Sequence, residues 1–127
     1  MGNEDIYQDF IIELWKHPRN HGTIKKPDIV SEIDNETCGD RIRLFLKFKG
    51  KTVDEAKFTG SGCAISQASA SLVTGMLVGK TRDALKTISK DDILALLKID
   101  LSKNPSRMRC ALLPLAALKK ALQPDRR

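Results

Sequence analysis

Three cysteines and one aspartate are the residues of this chain whose types and settings could do chemistry. Cys38 lies in the turn-like stretch TCGDR, Cys63 follows GSG, and Cys110 lies in RCALLP. Asp40 places a carboxylate two positions after the first cysteine. Thiolates and carboxylates are ligands of zinc and iron, and a thiolate also attacks sulfur. The set predicts a metal site or a reactive thiol, although a cysteine taken alone is commonly a small buried side chain.

The cysteines do not have the pattern of a disulfide framework. Their number, three, is odd, and they lie far apart in the chain. The opening MGNEDIYQ is acidic and lacks a basic-then-apolar leader, so we expect a cytoplasmic protein with reduced thiols. No pair has the compact C-x-x-C spacing of a zinc finger, so inert thiols, a nucleophile and metal ligands all stay open.

Composition and charge set broad limits on the partners. The chain has 127 residues, and we expect them to form a single domain over residues 1–127. Its net charge of +6 suits nucleic acid or an acidic protein surface. One Trp and one Tyr offer little for base stacking and no binding signature occurs, so we expect no nucleic acid partner. No apolar stretch is long enough to span a bilayer, so we expect no membrane partner either.

The elements that must position these residues begin with a helix and a hairpin. Apolar residues recur at helical spacing over residues 4–16, which predicts a helix there, and the loop HPRNHG is expected to end this helix. A short extended piece and a polar turn follow. RIRLFLKF then alternates, and KGK makes a tight turn, so residues 41–59 are predicted to form an antiparallel hairpin. The apolar residues of the alternating strand share one face: Ile42, Leu44, Leu46 and Phe48.

Helices are predicted to dominate after GSG. One covers residues 64–77, a short one lies in GKTRDALKTI, and Ser89 and Asp92 begin another with a capping box. SKNPSRMR is expected to be a polar loop. Pro114 is compatible with a helix only in its first turn, so the last helix is expected to begin near Cys110 or Ala111. We therefore predict an α+β fold, a small antiparallel sheet with helices packed on one face.

Each cysteine is then expected at a junction between a loop and a regular element. Cys38 precedes a strand, and Cys63 and Cys110 begin helices. A helix N-terminus carries free amides and a partial positive charge, which favour the thiolate. Three such junctions, together with Asp40, can meet at one end of the fold and form a metal site there.

Three motifs closely resemble those of the U-type iron–sulfur cluster assembly scaffolds, the family of IscU, SufU and the N-terminal domain of NifU. They are TCGDRI, GSGCAISQASAS and SRMRCALLPLAALKKAL. HPRNHG also resembles the family's N-terminal segment, so the resemblance covers nearly the whole chain. It implies a three-stranded antiparallel sheet with helices packed against it. It also implies four metal ligands: Cys38, Asp40, Cys63 and Cys110.

The resemblance implies a scaffold that accepts sulfur from a cysteine desulfurase and binds iron. Such a scaffold builds a transient [2Fe-2S] cluster and transfers it to apo iron–sulfur acceptor proteins, so it is not itself an enzyme. Several members hold zinc in the same pocket, and an oligomer is allowed when the cluster is bound.

Individual residues of the implied site receive roles on chemical grounds. We expect Asp40 to be the labile or auxiliary ligand, because a cluster held by only three cysteines is easier to release. We predict Cys110 to be the sulfur acceptor, because a helix start and Arg109 would both favour its thiolate. Arg109 and Arg41 are auxiliary residues that pair with Asp40 or stabilise thiolates, or else they are solvated charges.

Departures from the family pattern define the alternatives. IscU-type members carry a histidine before the last cysteine, where this chain has Arg109. They also carry a Leu-Pro-Pro-Val-Lys motif, where this chain has KNPSR, which argues against an Hsp70-type chaperone as partner. CAISQASAS resembles SufU, yet the usual SufU insertion before the third motif has little room. The alternative functions are a SufU-type, zinc-dependent sulfurtransferase that relays persulfide sulfur without holding a cluster, and a structural zinc domain.

Overall fold

The computed structural model of the protein describes residues 3–35 and 39–123, with side chains from residue 9 onwards. Cys38 lies outside the described residues. The helices and strands within them are, in chain order, α1 (Asn3–Lys16), β1 (Ile29–Asn35), β2 (Asp40–Lys49), β3 (Thr52–Ser61), α2 (Ala64–Leu77), α3 (Arg82–Lys86), α4 (Lys90–Leu97) and α5 (Pro105–Ala121).

The strands form one antiparallel sheet in the order β1-β2-β3. β2 and β3 make the predicted hairpin, and Gly50 turns the chain between them with a φ of 63°. β1 pairs along the other side of β2, from Ile29 opposite Leu46 to Asn35 opposite Asp40. The predicted three-stranded α+β fold is confirmed, and its register places Asp40 at the end of the central strand.

The helices pack on one face of the sheet, as predicted. Ile42 and Leu46 point to that face and are 0% exposed, because the alternation of a strand turns every second side chain inward. Phe58 of β3 is equally buried and joins the same core. Phe48 follows an irregularity in the β2–β3 register and is only partly buried.

α2 has the predicted bounds and lies in the middle of the fold. Its alanines Ala68 and Ala70 are buried, and side chains this small let neighbouring elements approach closely. The buried Ser69 hydroxyl donates a hydrogen bond of 2.6 Å to the carbonyl oxygen of Ala111 in α5. The Ser31 hydroxyl of β1 donates one of 2.8 Å to the carbonyl of Ala117. These two bonds fix the position of α5 against α2 and against the sheet.

The prediction for the start of the last helix is wrong. α5 begins at Pro105, so most of the expected polar loop SKNPSRMR is its first turns. Asn104 is the N-cap residue, and its side chain accepts a hydrogen bond of 3.1 Å from the amide of Arg107. Pro105 suits the first helical position, where its missing amide hydrogen costs nothing. Pro114 lies inside the helix, where its buried contacts offset a cost of about 3 kcal/mol for an interior proline.

The first helix, the loop after it and α4 complete the fold. α1 begins one residue before the predicted helix, and α4 has the predicted capping box of Ser89 and Asp92. The loop after α1 covers the edge of β3, where the amide of Gly22 donates a hydrogen bond of 2.8 Å to the carbonyl of Phe58. Within residues 3–35 and 39–123, none of the helices combines the length and the apolar character that a membrane crossing requires.

Candidate metal centre

Asp40, Cys63 and Cys110 converge at one end of the sheet. One ligand atom from each, a carboxylate oxygen or a thiol sulfur, lies within 4.8 Å of the others. Asp40 is the first residue of β2, Cys63 is the N-cap residue of α2, and Cys110 lies in the second turn of α5. Three elements far apart in sequence therefore supply one cluster of metal-binding atoms.

The carboxylate of Asp40 is buried and bound to Cys63. Its Oδ1 accepts a hydrogen bond of 2.9 Å from the Cys63 amide, and its Oδ2 lies 3.7 Å from the Cys63 sulfur. Asp40 is only 1% exposed. A carboxylate in such a position needs compensating bonds, and the amide at the start of α2 supplies one. The start of β2 and the start of α2 are thus joined by two of the predicted ligands.

The glycines of GSG make this close approach possible. Gly62 has a φ of 130°, a conformation that other residues rarely adopt. A Cβ atom at Gly62 would overlap Oδ1 of Asp40. A Cβ atom at Gly60 would overlap the carbonyl oxygen of Arg41. Both positions therefore require glycine if Cys63 is to reach Asp40.

The two described cysteines differ in their settings. Cys63 lies at a helix N-cap and is partly exposed, which fits the predicted junction. Cys110 is buried at 2% exposure, inside α5 rather than at its start. The effect of helix N-terminal charge falls off within the first turn, so the helix-start argument for a Cys110 thiolate does not hold. Its role as sulfur acceptor stays a prediction.

The side chain of Arg41 points to the opposite face of β2 from that of Asp40. Neighbouring residues of a strand point to opposite faces, so Asp40 turns inward and Arg41 outward. Nε of Arg41 lies 2.9 Å from Oδ1 of Asp34 and 3.9 Å from Oε2 of Glu32. The hydrogen bond to Asp34, and then the charges of Asp34 and Glu32, raise the pKa of Arg41. Its auxiliary role in the site stays a prediction.

Arg109 is exposed at the neighbouring position of Cys110 in α5. It lines a cleft between α5 and the end of β1, together with Asp34 and Asn35. Among the residues that the structure describes, no ion pair joins Arg109 to Asp40. Arg109 therefore lies at the rim, and its auxiliary role is likewise still a prediction.

The donor set fits a metal ion that prefers sulfur and oxygen. Ligand atoms that share one tetrahedral zinc lie roughly 3 to 4 Å apart, given zinc–ligand distances of about 2.0 to 2.3 Å. The observed 4.8 Å limit leaves only a small inward movement for Asp40, Cys63 and Cys110. Three ligands leave one position of a tetrahedron for the predicted Cys38 or for an exchangeable group.

The motifs did not point to Asn35, a polar residue beside this cluster. It ends β1 directly opposite Asp40, and its Nδ2 atom is buried. The sequence carried one indication of where its side chain points: Asn35 lies two positions after Ile33 and therefore on the same face of the strand.

The fold and the site together define a small α+β domain that brings Asp40, Cys63 and Cys110 together at one end of its sheet, in a cluster that could hold a metal ion. Residues 6–125 match the family described as NifU-like N terminal domain, and the chain belongs to that family.

Two curated relatives are similar to most of the chain. The zinc-dependent sulfurtransferase SufU of Bacillus subtilis is 39% identical, over 94% of this chain and 90% of that protein. The iron–sulfur cluster assembly scaffold protein IscU of Streptococcus pyogenes is 29% identical, over 93% of this chain and 83% of that protein.

A solved structure extends the similarity to the fold. It is that of a SUF-system iron–sulfur cluster assembly scaffold protein from Fervidobacterium islandicum. It superposes with a TM-score of 0.78 at 31% identity, over 96% of this chain and all of the other.

Proposed function

We propose that this protein is a scaffold on which an iron–sulfur cluster is assembled and from which it is passed on. The convergence of Asp40, Cys63 and Cys110 within 4.8 Å carries the proposal. In this function Cys38 is the third thiolate, and the cluster is cargo rather than a resident cofactor. Three thiolates and one carboxylate hold a [2Fe-2S] cluster less firmly than four cysteines would, which suits release.

Access to the site supports a role in transfer. Cys63 is partly exposed, and an open cleft of about 370 Å³ lies beside Asp40. The cleft is also lined by Asp34, Asn35, Gly39, Arg41 and Ser61. A site that only stabilised the fold would not need a cleft at its ligands. An assembly site needs one, because iron and sulfur must enter and the cluster must leave.

The sulfur is proposed to come from a cysteine desulfurase that carries a persulfide. A cysteine thiolate of this chain attacks the outer sulfur, the S–S bond breaks, and the desulfurase thiolate leaves. That step is redox-neutral. Each transferred sulfur then needs two electrons to become sulfide, which a thiol reductant supplies in the test below. The net charge of +6 suits an acidic surface on the desulfurase.

The second candidate is a zinc-dependent sulfurtransferase, which the similarity to SufU favours. The compact donor set also fits one zinc ion. In this function zinc is held by Asp40, Cys63 and Cys110, with Cys38 as the predicted fourth ligand. Bound zinc would keep the thiols deprotonated and ready to take up sulfur. For both candidates we propose a cytoplasmic location and acceptance of sulfur from the same kind of partner.

Anaerobic reconstitution separates the candidates. The chain is incubated with ferrous iron, L-cysteine, a cysteine desulfurase and dithiothreitol, and the visible absorption of a cluster is followed. A scaffold develops cluster absorption and then activates an apo-ferredoxin, whereas Cys63→Ser does neither. Persulfide on the zinc-loaded chain without any cluster absorption would favour the sulfurtransferase.

A purely structural zinc site gives a different result. It would form neither cluster nor persulfide, and the chain would unfold when a chelator removes the metal.

A further inference from the structure

Asn35 faces the metal centre from β1. It is the last residue of β1, and its register partner across the sheet is Asp40. Residues 31, 33 and 35 share the inner face, as the buried hydroxyl of Ser31 bonded to α5 shows. Directly opposed side chains of an antiparallel pair have Cβ atoms roughly 5 Å apart on the same face. The Asn35 amide therefore projects beside the Asp40 carboxylate, towards the helix that carries Cys110.

The donor atom of this amide lacks an acceptor. Nδ2 of Asn35 is buried, and it has no hydrogen-bond partner among the residues that the structure describes. It is the one buried side-chain nitrogen or oxygen of the described part in this condition. Buried polar atoms are nearly always hydrogen-bonded, since an unpaired one costs free energy. An orphaned donor beside a site is therefore evidence of an acceptor that arrives with a ligand.

The surroundings restrict what that acceptor can be. The oxygens of Asp40 already face Cys63, one towards its amide and the other towards its sulfur. On the α5 side, the cleft beside Asn35 is lined by Arg109, which is a donor only, and by apolar Leu112 and Leu113. Asp34, which lines the same cleft, pairs with Arg41 instead. A sulfur atom of the occupied site is then the acceptor that a ligand would bring within reach of the Asn35 amide. A metal-bound thiolate or a sulfide is anionic and accepts hydrogen bonds from amides.

We propose that Asn35 donates an N–H···S hydrogen bond to a sulfur atom of the occupied site and so stabilises the loaded state over the empty one. The proposal rests on the proposed function, because a loaded site must exist for the bond to form. Asn35 is then a positioning residue that binds no metal. Partners of this kind beyond the ligands commonly alter metal affinity by about 10- to 100-fold.

The test compares empty and loaded protein. Asn35→Ala should raise the Kd for zinc about tenfold, as measured by competition with a chromophoric chelator. It should leave the urea midpoint of the zinc-free chain unchanged or raise it, because the lost donor has no partner there. Asn35→Asp keeps the shape but replaces the donor with an acceptor, so the cluster formed with ferrous iron and sulfide should decay faster.

A matched control uses an asparagine whose amide is already bonded. Nδ2 of Asn20 donates a hydrogen bond of 3.3 Å to the hydroxyl of Thr74, away from the centre. Asn20→Ala should lower the urea midpoint of the zinc-free and zinc-bound chains alike and leave the Kd for zinc unchanged. The contrast between Asn35→Ala and Asn20→Ala separates a donor reserved for the ligand from a structural one.

The outcomes distinguish a failure of this proposal from a failure of the proposed function on which it rests. A change in zinc affinity identifies a thiolate as the acceptor, and a change in cluster lifetime alone identifies a sulfide. If wild type binds zinc and builds a cluster, and Asn35→Ala has the same zinc Kd and the same cluster lifetime, the proposed bond is wrong and the proposed function stands. If wild type binds zinc but builds no cluster, the scaffold function fails and the zinc measurement still decides on Asn35. If wild type binds neither, both fail.

Discussion

The carboxylate of Asp40 holds both the amide and the thiol of Cys63, at 2.9 Å and 3.7 Å. A residue at the start of a strand thereby fixes the N-cap of a helix that follows it only after the hairpin. The same contact forms one side of the cluster of Asp40, Cys63 and Cys110, whose possible ligand atoms all lie within 4.8 Å of one another. We therefore expect changes at Asp40 to affect both the stability of the fold and the binding of a metal.

Asp40→Ala should give a longer-lived cluster that is transferred more slowly, because Asp40 is the proposed labile ligand. The same change should lower the stability of the metal-free chain by about 1 to 3 kcal/mol, since the Cys63 amide loses its acceptor. Decay of the visible absorption and urea unfolding measure the two effects. Asp34→Ala, which removes an exposed carboxylate paired with Arg41, serves as the control. Normal cluster lifetime and transfer in Asp40→Ala would contradict the labile role.

Gly62→Ala should disrupt the metal centre. The new Cβ atom would overlap Oδ1 of Asp40, and the φ of 130° adds backbone strain of about 1 to 3 kcal/mol. Gly79→Ala is a matched control, because Gly79 has a φ of 87° and open space around its Cβ position. Both variants should lose thermal stability, but only Gly62→Ala should weaken zinc binding. Equal zinc affinity in the two would show that GSG does not shape the site.

Cys63 should be the more reactive of the two described thiols. In the metal-free Cys38→Ser variant we expect iodoacetamide to label Cys63 before Cys110, because Cys110 is only 2% exposed. Peptide mass spectrometry over a time course measures the order. Faster labelling of Cys110 would mean that α5 opens readily in the metal-free chain.

The same method tests the predicted sulfur acceptor. After turnover with a desulfurase, persulfide on Cys110 would confirm that prediction, and Cys110→Ser should then take up sulfur slowly. Persulfide on Cys63 alone, together with normal uptake by Cys110→Ser, would overturn it. Cys63 has the helix N-cap position that the sequence had suggested for Cys110.

Ser69→Ala should loosen α5 at the metal centre. The Ser69 hydroxyl bonds the carbonyl of Ala111, next to Cys110, and its loss should cost about 1 kcal/mol or somewhat more. Zinc affinity should fall with it, because Cys110 would be held less firmly. Thr87→Ala removes an exposed hydroxyl bonded to the carbonyl of Ala84 and provides the control. A normal zinc Kd in Ser69→Ala would show that α5 is positioned by apolar packing alone.

Local patterns in the sequence determined the hairpin, the bounds of α2 and the capping box of α4. Each follows from interactions between residues close in the chain: alternation, a tight turn, or a hydroxyl and a carboxylate three positions apart. Three motifs also identified the family and, through that resemblance, predicted its ligand residues before any geometry was known. Those ligand roles remain to be tested, and Cys38 lies outside the described residues.

Tertiary structure decided where α5 begins, which cysteine lies at a helix start, and what faces the site. Pro114 by itself favours a helix start nearby, but the buried packing of α5 outweighs that preference, so the local N-cap of Asn104 sets the start. Asn35 lies opposite Asp40 because of the register between β1 and β2. Arg41 points outward because the other face of β2 packs against the core. Such relations arise between distant parts of the chain, because burial and register are properties of the assembled fold.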